Sequence, residues 1–192
     1  MKTVRQVQKE NTKSALLETS YKVFSERGIV STRMSDIAAA AGVSHGTVFL
    51  HFSTQEALIT EVVELYCGKI AQRTHELTES GASLRDILSA HLDGIKEYEP
   101  FYTRLVIESR LLPAETRDAW VGLQSAVAFH FEQTVSREIG AKVPLALLFK
   151  MWMGLVHYYL SNGDLFAPEG NVIGRYGEIL IENYMTLIRA ES

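Results

Sequence analysis

Residues 34–52 read MSDIAAAAGVSHGTVFLHF and predict two short helices joined by a tight turn. The first helix carries an apolar stripe at helical spacing, formed by Met34, Ile37, Ala38 and Ala41. Gly42 can end this helix in the left-handed conformation, and Ser44 can cap the next helix by accepting a hydrogen bond from a free N–H. Two helices that cross at such a turn form a helix-turn-helix, whose second helix can enter a DNA major groove.

The first turn of the second helix is polar and short, and it consists of Ser44, His45, Gly46 and Thr47. Its free N–H groups and the positive end of the helix dipole can face a phosphate. Gly46 costs roughly 1 kcal/mol of helix stability relative to alanine, so its presence indicates a close approach by a partner. A helical corner that binds no ligand is the alternative interpretation, and the surrounding sequence weighs against it.

The surrounding residues resemble the N-terminal motif of the TetR family of transcriptional regulators. The resemblance covers about a quarter of the chain, from near Thr12 to Leu58. The matching positions, in fixed order, are Phe24, Gly28, Thr32, Ile37-Ala38, Ala41-Gly42-Val43-Ser44, Gly46-Thr47-Val48-Phe49, His51-Phe52, Ser53 and Leu58. So many positions in one order are a specific signal, whereas a lone turn dipeptide is not.

The resemblance implies a DNA-binding domain in residues 1–55, with its helix-turn-helix at about 33–52. It also implies a larger helical domain in residues 56–192 for effector binding and dimerisation. The residues that the resemblance places at the DNA are Thr32, Arg33, Ser35, Ser44, His45, Gly46, Thr47, Phe49 and His51. The expected partner is a double-stranded DNA operator.

Three positions depart from the family pattern. Arg33 stands where a second Thr or Ser is common, so Thr32 is expected to cap the helix that begins at Met34. Phe49 replaces a tyrosine whose hydroxyl reaches a phosphate in relatives, and Gln55 replaces a lysine that does the same. Because a neutral side chain releases no counterion, we expect weaker backbone contacts at these two positions. Arg33 can compensate near the start of the first motif helix.

Charge is distributed unevenly along the 192 residues, whose net charge is −4. Residues 1–55 hold seven basic and four acidic side chains, which gives +3. The remainder holds 12 basic and 19 acidic side chains, which gives −7. A basic head on an acidic body favours approach to DNA by the head, although a segment charge of +3 is also within ordinary scatter.

The single cysteine, Cys67, excludes an internal disulfide framework and fits a reducing compartment. It lies in an apolar helical run, which favours a buried thiol over a redox sensor. No apolar window approaches the roughly 18 residues of a membrane span, and the N-terminus lacks the pattern of a secretory signal. We therefore expect a cytoplasmic protein with no membrane partner.

The rest of the chain predicts an all-α fold of about nine helices, because no segment alternates with period two. Prolines at 100, 113, 144 and 168 mark boundaries. The predicted helices outside the motif are Lys9–Arg27, Thr54–Ser80, Leu84–Tyr98, Phe101–Leu111, Glu115–Ile139, one between Pro144 and Asn162-Gly163, and one that Asn171 caps. The first buries Leu16, Leu17, Ser20, Val23 and Phe24, and the helix from Leu84 buries Ile87, Leu88, His91, Leu92 and Ile95.

The last two predicted helices are apolar over more of their circumference than a surface helix needs. The first carries Leu145, Leu148, Phe149, Trp152, Leu155, Val156 and Tyr159, and the second carries Ile173, Tyr176, Ile179, Leu180, Asn183 and Leu187. We expect them to form a two-fold helical bundle between subunits, as the resemblance also implies. Core helices of a monomer are the alternative. In a dimer, two recognition helices about 34 Å apart read a palindrome.

An effector pocket is expected among the middle helices, which are rich in aromatic side chains with polar tips. The candidate lining residues are Tyr98, Phe101, Tyr102, Trp120, His130, Trp152 and His157. This inventory suits an apolar, aromatic or amphipathic small molecule. The six histidines show no metal-binding spacing, so neither a metal nor a cofactor is predicted.

The sequence favours a repressor that an effector releases from DNA. An enzyme fits poorly, because there is no phosphate-binding glycine loop or nucleophile elbow and no catalytic residue is predicted. Glu108 and Arg110 could form a buried pair or, more commonly, a salt bridge at a helix end. A helical interaction module without specific DNA binding is a second alternative. We expect the predicted fourth helix, which starts at Thr54, to carry the effector signal to the DNA-binding unit.

Overall fold

The computed structural model describes residues 3–79, 81–139 and 143–190. Within these ranges the chain forms ten α-helices and one 3₁₀ turn, and it contains no strand, so the predicted all-α class is confirmed. The α-helices are α1 (Val4–Arg27), α2 (Met34–Ala41), α3 (His45–His51), α4 (Gln55–Glu79), α5 (Leu84–Glu97), α6 (Glu99–Glu108), α7 (Ala114–Glu138), α8 (Leu145–Ser161), α9 (Gly163–Phe166) and α10 (Val172–Ala190). The predicted end of the fourth helix, Ser80, lies outside the described residues.

Helix α1 is the long first element of the head, which consists of α1, α2 and α3. The five residues that the sequence places in its buried face are all buried. The helix begins at Val4 rather than at Lys9, because Thr3 and Gln6 form a capping box. The Thr3 hydroxyl accepts from the Gln6 N–H at 3.3 Å, and the Gln6 side-chain carbonyl accepts from the Thr3 N–H at 2.8 Å.

The turn between α2 and α3 has the predicted geometry. Gly42 adopts the left-handed conformation, with φ of 66°. The Ser44 hydroxyl accepts from the Thr47 N–H at 3.1 Å and so caps α3. Val48 and Phe52 are buried and hold α3 against the rest of the head. The helix-turn-helix is therefore confirmed.

The predicted cap of α2 is wrong. Thr32 is buried, and its hydroxyl donates to the Gly28 carbonyl at 2.6 Å instead of capping the helix. Helix α2 begins after Arg33, whose N–H donates to the Asp36 carboxylate at 2.8 Å. Asp36 thus accepts from the backbone N–H just before α2, which is a different group from the one that a hydroxyl cap would bind.

The body, which consists of α4 to α10, contains two departures from the predicted helices. The segment predicted as one helix from Phe101 is divided into α6 and a 3₁₀ turn at Ser109–Leu111, because Pro113 favours the extended conformation that Leu112 adopts. Helix α9 was not predicted. Its single turn is stabilised by Phe166, whose ring stacks on Tyr159 with 4.4 Å between centroids.

The body's core surrounds α4, which packs along α5 and α7, while α10 packs against α5 and α8. The predicted burial of the five α5 residues is confirmed. Cys67 is buried, and burial raises the pKa of its thiol to about 12, as expected of a structural cysteine. In the described part of the chain, no helix is both long and apolar enough to cross a bilayer.

Candidate DNA-binding face and effector cavity

Helix α3 presents one side to the core and the other to solvent. Val48 faces the core, whereas His45, Gly46, Phe49 and Leu50 are exposed. Phe49 is 44% exposed, and its ring lies nearly perpendicular to the His45 ring with 4.8 Å between centroids. The Ser44 hydroxyl caps this short helix, so the exposed aromatic pair is held in place. Such a surface can enter a groove of DNA.

Eight of the nine residues predicted at the DNA have accessible side chains or backbone. The exposed members are Arg33, Ser35, Ser44, His45, Gly46 and Phe49, and the half-buried members are Thr47 and His51. Thr32 is the exception, because burial and its bond to Gly28 keep its hydroxyl away from any external partner. The Thr32 hydroxyl therefore cannot supply the predicted contact in this conformation, and a contact of Thr32 with DNA stays a prediction.

The N-terminal half of α1 adds residues that the sequence analysis missed. Arg5, Gln8, Lys9 and Thr12 line a shallow groove together with Thr47, Leu50 and His51 of α3. The signal was present as basic residues at positions 5, 9 and 13, which are four apart and therefore share one helical face. Arg5 and Gln8 lie outside the predicted helix, which begins at Lys9, whereas α1 begins at Val4.

His51 lies at the back of this groove, next to α1. Among the described residues its Nδ1 is buried and has no hydrogen-bond partner. Burial lowers the pKa of His51, and the positive charges of Lys9 and Lys13 lower it further. The imidazole is therefore neutral at pH 7 in the free protein, and an incoming negative charge would favour its protonation.

Gln55 has a structural role that its sequence position did not indicate. It is the first residue of α4, and its side-chain amide donates to the Thr32 carbonyl at 2.9 Å. This bond ties the start of α4 to the loop before α2. The predicted loss of a phosphate contact at this position stays a prediction.

A cavity of about 490 Å³ lies between α6, α7 and α8. Its walls combine apolar side chains with both signs of charge, from Val106, Ser109, Trp120, Val121, Gln124, Ser125, Ala128, Glu132, Ala146, Phe149, Lys150, Met153, Gly154 and His157. Trp120 and His157 stack with 5.9 Å between centroids, and His157 Nε2 is hydrogen-bonded to the Tyr102 hydroxyl at 3.1 Å. Burial lowers the pKa of His157 to about 4, so its imidazole is neutral at pH 7.

Two of the seven predicted effector residues, Trp120 and His157, line this cavity, and Tyr102 lies directly behind them. Trp152 belongs to the core, where its indole N–H donates to His91 Nδ1 at 3.1 Å. Burial lowers the pKa of His91 to about 3, which keeps that nitrogen an acceptor.

The other three predicted effector residues lie elsewhere. Tyr98 and Phe101 pack against Tyr21 of α1 and Tyr66 of α4. His130 meets His75 of α4 with 3.2 Å between ring nitrogens. The structure therefore does not bring these residues to the cavity. Among the described residues, no three potential metal-binding side chains cluster together.

Helix α6 touches both the cavity and the head. Val106 lines the cavity, while the Glu108 carboxylate accepts from the Ile29 and Val30 N–H groups at 2.9 and 2.8 Å. The Arg104 guanidinium donates to the carbonyl of Glu26, near the end of α1, at 3.2 Å. The predicted pairing of Glu108 with Arg110 is wrong, because Glu108 is buried against the head and Arg110 is exposed.

Comparison with known proteins places these features in context. The family described as "Bacterial regulatory proteins, tetR family" matches residues 16–62, which contain the second half of α1 together with α2, α3 and the start of α4. The Bacillus subtilis transcriptional regulator YerO is 26% identical over 80% of this chain and 57% of its own length. The Rhodococcus jostii transcriptional repressor KstR2 is 26% identical over 62% of this chain and 66% of its own length. The chain thus spans less than two thirds of both relatives.

A solved structure extends the likeness to the body. The regulator PfmR from Thermus thermophilus superposes with a TM-score of 0.74 over 91% of this chain and 97% of that one. The two sequences are 22% identical, so this match concerns the fold. The head and the helical body occur together in that protein as they do here.

Proposed function

The chain belongs to the TetR family of transcriptional regulators, and we propose that it is a dimeric repressor that binds a palindromic operator and is released by a small-molecule effector. Its named relatives are transcription regulators rather than enzymes, and several are repressors. Since the partner is chromosomal DNA, we place the protein in the cytoplasm.

The exposed face of α3 is the observation that carries the DNA-binding proposal. His45, Gly46 and Phe49 stand clear of the core at the capped end of the helix, where a base edge can be reached. Arg5 and Lys9 of α1 flank this face and supply positive charge for the phosphate backbone. Their arrangement separates residues that can read bases from residues that can only hold the backbone.

Selection of bound duplexes from a random pool tests this proposal with the full chain. We expect enriched palindromes whose half-site centres lie about 34 Å apart, and an affinity that falls steeply with salt. A pool without enrichment, or with single half-sites only, would contradict a dimer that binds both halves of a palindrome. Salt-insensitive binding would favour the interaction module instead.

Substitutions on α3 then separate the two kinds of contact. Thr47→Ala should weaken binding to all duplexes alike, because its hydroxyl lies 2.8 Å from the Ser44 hydroxyl beside the expected phosphate. His45→Ala should change the preferred sequence, because its ring is exposed on the face that can enter the groove. Equal losses on selected and random DNA for both variants would contradict these roles.

The dimer is proposed through α8 and α10. Exposed apolar side chains lie along one side of each helix, and they are Leu147, Met151 and Tyr158 on α8 and Ile179 and Leu187 on α10, each between 49% and 61% exposed. The Tyr184 hydroxyl of α10 donates to the Leu148 carbonyl of α8 at 2.6 Å, which fixes the two helices together. An exposed apolar surface on a rigid helix pair suits a two-fold contact with a second copy.

Sedimentation equilibrium tests the dimer. Ile179→Asp should shift the population to monomers, because it would bury a charge in the contact. The matched control is Leu111→Asp, which changes an exposed leucine outside α8 and α10. Loss of the dimer in both variants, or in neither, would contradict this interface.

The effector is proposed to bind in the cavity between α6, α7 and α8. Trp120, Phe149 and Met153 offer apolar contact, whereas Glu132 and Lys150 can orient polar groups, so an amphipathic molecule with an aromatic or apolar body fits. The sequence predicts that α4 carries the effector signal, but no residue of α4 lines this cavity. Helix α6 does line it and also holds the head, so we assign the relay to α6. Effector and operator then weaken each other's binding by favouring different positions of α6.

A further inference from the structure

Glu99, the first residue of α6, is buried, which is rare for a carboxylate without a partner. Its two oxygens accept from the N–H groups of Val172 and Ile173, at 2.6 and 3.0 Å. These are the first two residues of α10, so Glu99 binds the N-terminus of a helix in the proposed dimer interface. Burial raises the pKa of Glu99, while the two N–H groups act in the opposite direction.

Glu108, the last residue of α6, makes the same kind of contact with the head. One oxygen of its buried carboxylate accepts from the N–H groups of Ile29 and Val30. Gly28 makes room for this contact, because a Cβ at that position would lie 2.8 Å from Glu108 Oε1. Gly28 also has a φ of 93°, which other residues adopt only with strain.

The two glutamates therefore act at opposite ends of one helix. Nine residues along an α-helix correspond to about 14 Å and two and a half turns, so the two side chains leave α6 on opposite sides. Each binds two consecutive N–H groups of another element, and charge-assisted bonds of this kind are roughly twice as strong as neutral ones. Helix α6 thus connects α10 to the head through two carboxylates.

We propose that Glu99 and Glu108 are positioning residues that, through α6, fix the DNA-binding head relative to α10 and so set the half-site spacing that the dimer accepts. The inference rests on the proposed dimeric repressor. A head held only by its own packing would tolerate several spacings, whereas a head bound to the dimerisation helix through a rigid connector selects one. Glu99 and Glu108 act on DNA only through α6.

A double-mutant cycle on the full chain tests this connection. At residue 99, where each oxygen accepts one bond, glutamine keeps the size of glutamate but places an NH₂ group toward one of the two backbone N–H groups. At residue 108 one oxygen accepts both bonds, so a glutamine carbonyl could keep them, and leucine is used there to remove the acceptor. We expect Glu99→Gln and Glu108→Leu each to weaken binding to the selected operator about tenfold. Each variant should also bind operators whose spacer is one base pair longer or shorter nearly as well as the selected one. The double variant should lose no more than either single variant, because breaking one end already disconnects the head.

Additive losses in the double variant, about 100-fold in total, would overturn the proposal, and so would unchanged spacer selectivity in the single variants. Glu115→Gln is the matched control, since this glutamate is exposed on α7 and should leave both measurements unchanged. A wild-type chain that selects no palindrome would instead refute the proposed function, so the two failures are distinguishable.

A second variant covers the case in which Glu99→Gln does not fold or dimerise. Val172→Pro removes one N–H that Glu99 binds, at the first position of a helix, where proline is tolerated. With the dimer retained in sedimentation, we expect the same relaxed spacer selectivity as in Glu99→Gln. Unchanged selectivity in a folded dimer of this variant would also overturn the proposal.

Discussion

The proposed DNA-binding face and the proposed effector cavity are built from residues at very different separations in the sequence. The face depends on a local segment. Gly42 ends α2, and the Ser44 hydroxyl caps α3 by accepting from the N–H of Thr47, three residues further along. The cavity depends on distant contacts, such as the bond between Tyr102 and His157, which are 55 residues apart. Local geometry therefore fixes what the head presents to DNA, whereas tertiary packing decides what the body can bind.

This difference predicts that the two regions can be disabled separately. A change on the face should affect operator binding without altering the cavity. A change in the cavity should affect the response to a ligand without altering operator binding. Only the contacts of α6, which touches both regions, should affect both properties together.

The largest effect is expected for Gly46→Asp on the face. Gly46 is exposed, and a Cβ there would meet only the Ser44 hydroxyl at 3.8 Å, so the fold accepts the side chain. A carboxylate in the first turn of α3 is compatible with the helix dipole but repels phosphate. We expect operator affinity, measured by fluorescence anisotropy, to fall about 100-fold or more, with little change in Tm.

Gly46→Ala is the matched control, because it adds the same Cβ without the charge. Its affinity should fall far less, and its α3 should gain stability, by roughly 1 kcal/mol at most. If Gly46→Asp bound the operator as well as the wild type, this turn of α3 would not face DNA.

A smaller effect is expected when the cavity is filled. Ser125 is exposed on α7 and lines the cavity, so Ser125→Phe should occupy part of it without disturbing the core. The probe is 8-anilinonaphthalene-1-sulfonate, an aromatic anion whose fluorescence rises in apolar sites. We expect its affinity to fall about tenfold, while operator affinity without the probe stays within about twofold.

The matched control is Ser136→Phe, which places the same ring on an exposed position of α7 outside the cavity. Equal probe binding by the wild type and both variants would show that the probe binds elsewhere. A loss of operator binding in Ser125→Phe alone would contradict the separation of the two regions.

The same contrast explains how much could be predicted from the sequence. Glycine, serine and apolar spacing act over a few residues, so Gly42, Ser44 and the buried face of α1 were all predicted correctly. Glu108 lies 79 residues from Ile29, and its role depends on how α6 packs against the head, which no local pattern encodes. Trp152 was assigned to the cavity because aromatic residues are common in both pockets and cores, and only its bond to His91 distinguishes them.

Operator binding is expected to depend on pH through His51, which lines the groove between α1 and α3. Burial and two nearby lysines lower the pKa of His51 in the free head, and a phosphate in the adjacent groove would raise it in the complex. The protonated form therefore binds DNA more tightly, so affinity should rise as pH falls from about 7 to about 5.5. We expect the rise to be about fivefold and to disappear in His51→Gln.

His75→Gln provides a matched control for this measurement, because His75 lies near the far end of α4, on the body. It should retain the pH dependence of the wild type. An unchanged pH dependence in His51→Gln would mean that this imidazole does not approach a phosphate.

The smallest effect is expected from restoring the hydroxyl that Phe49 lacks. The ring is 44% exposed and packs against His45, so Phe49→Tyr places a hydroxyl at the solvent side without changing the packing. One neutral hydrogen bond to a phosphate should tighten operator binding about threefold. The slope of affinity against salt should stay the same, because a hydroxyl releases no counterion. Phe129→Tyr, on an exposed position of α7, should change neither quantity. A steeper salt dependence in Phe49→Tyr would indicate a rearranged head rather than one added contact. It would contradict the prediction that a change on the face acts only locally.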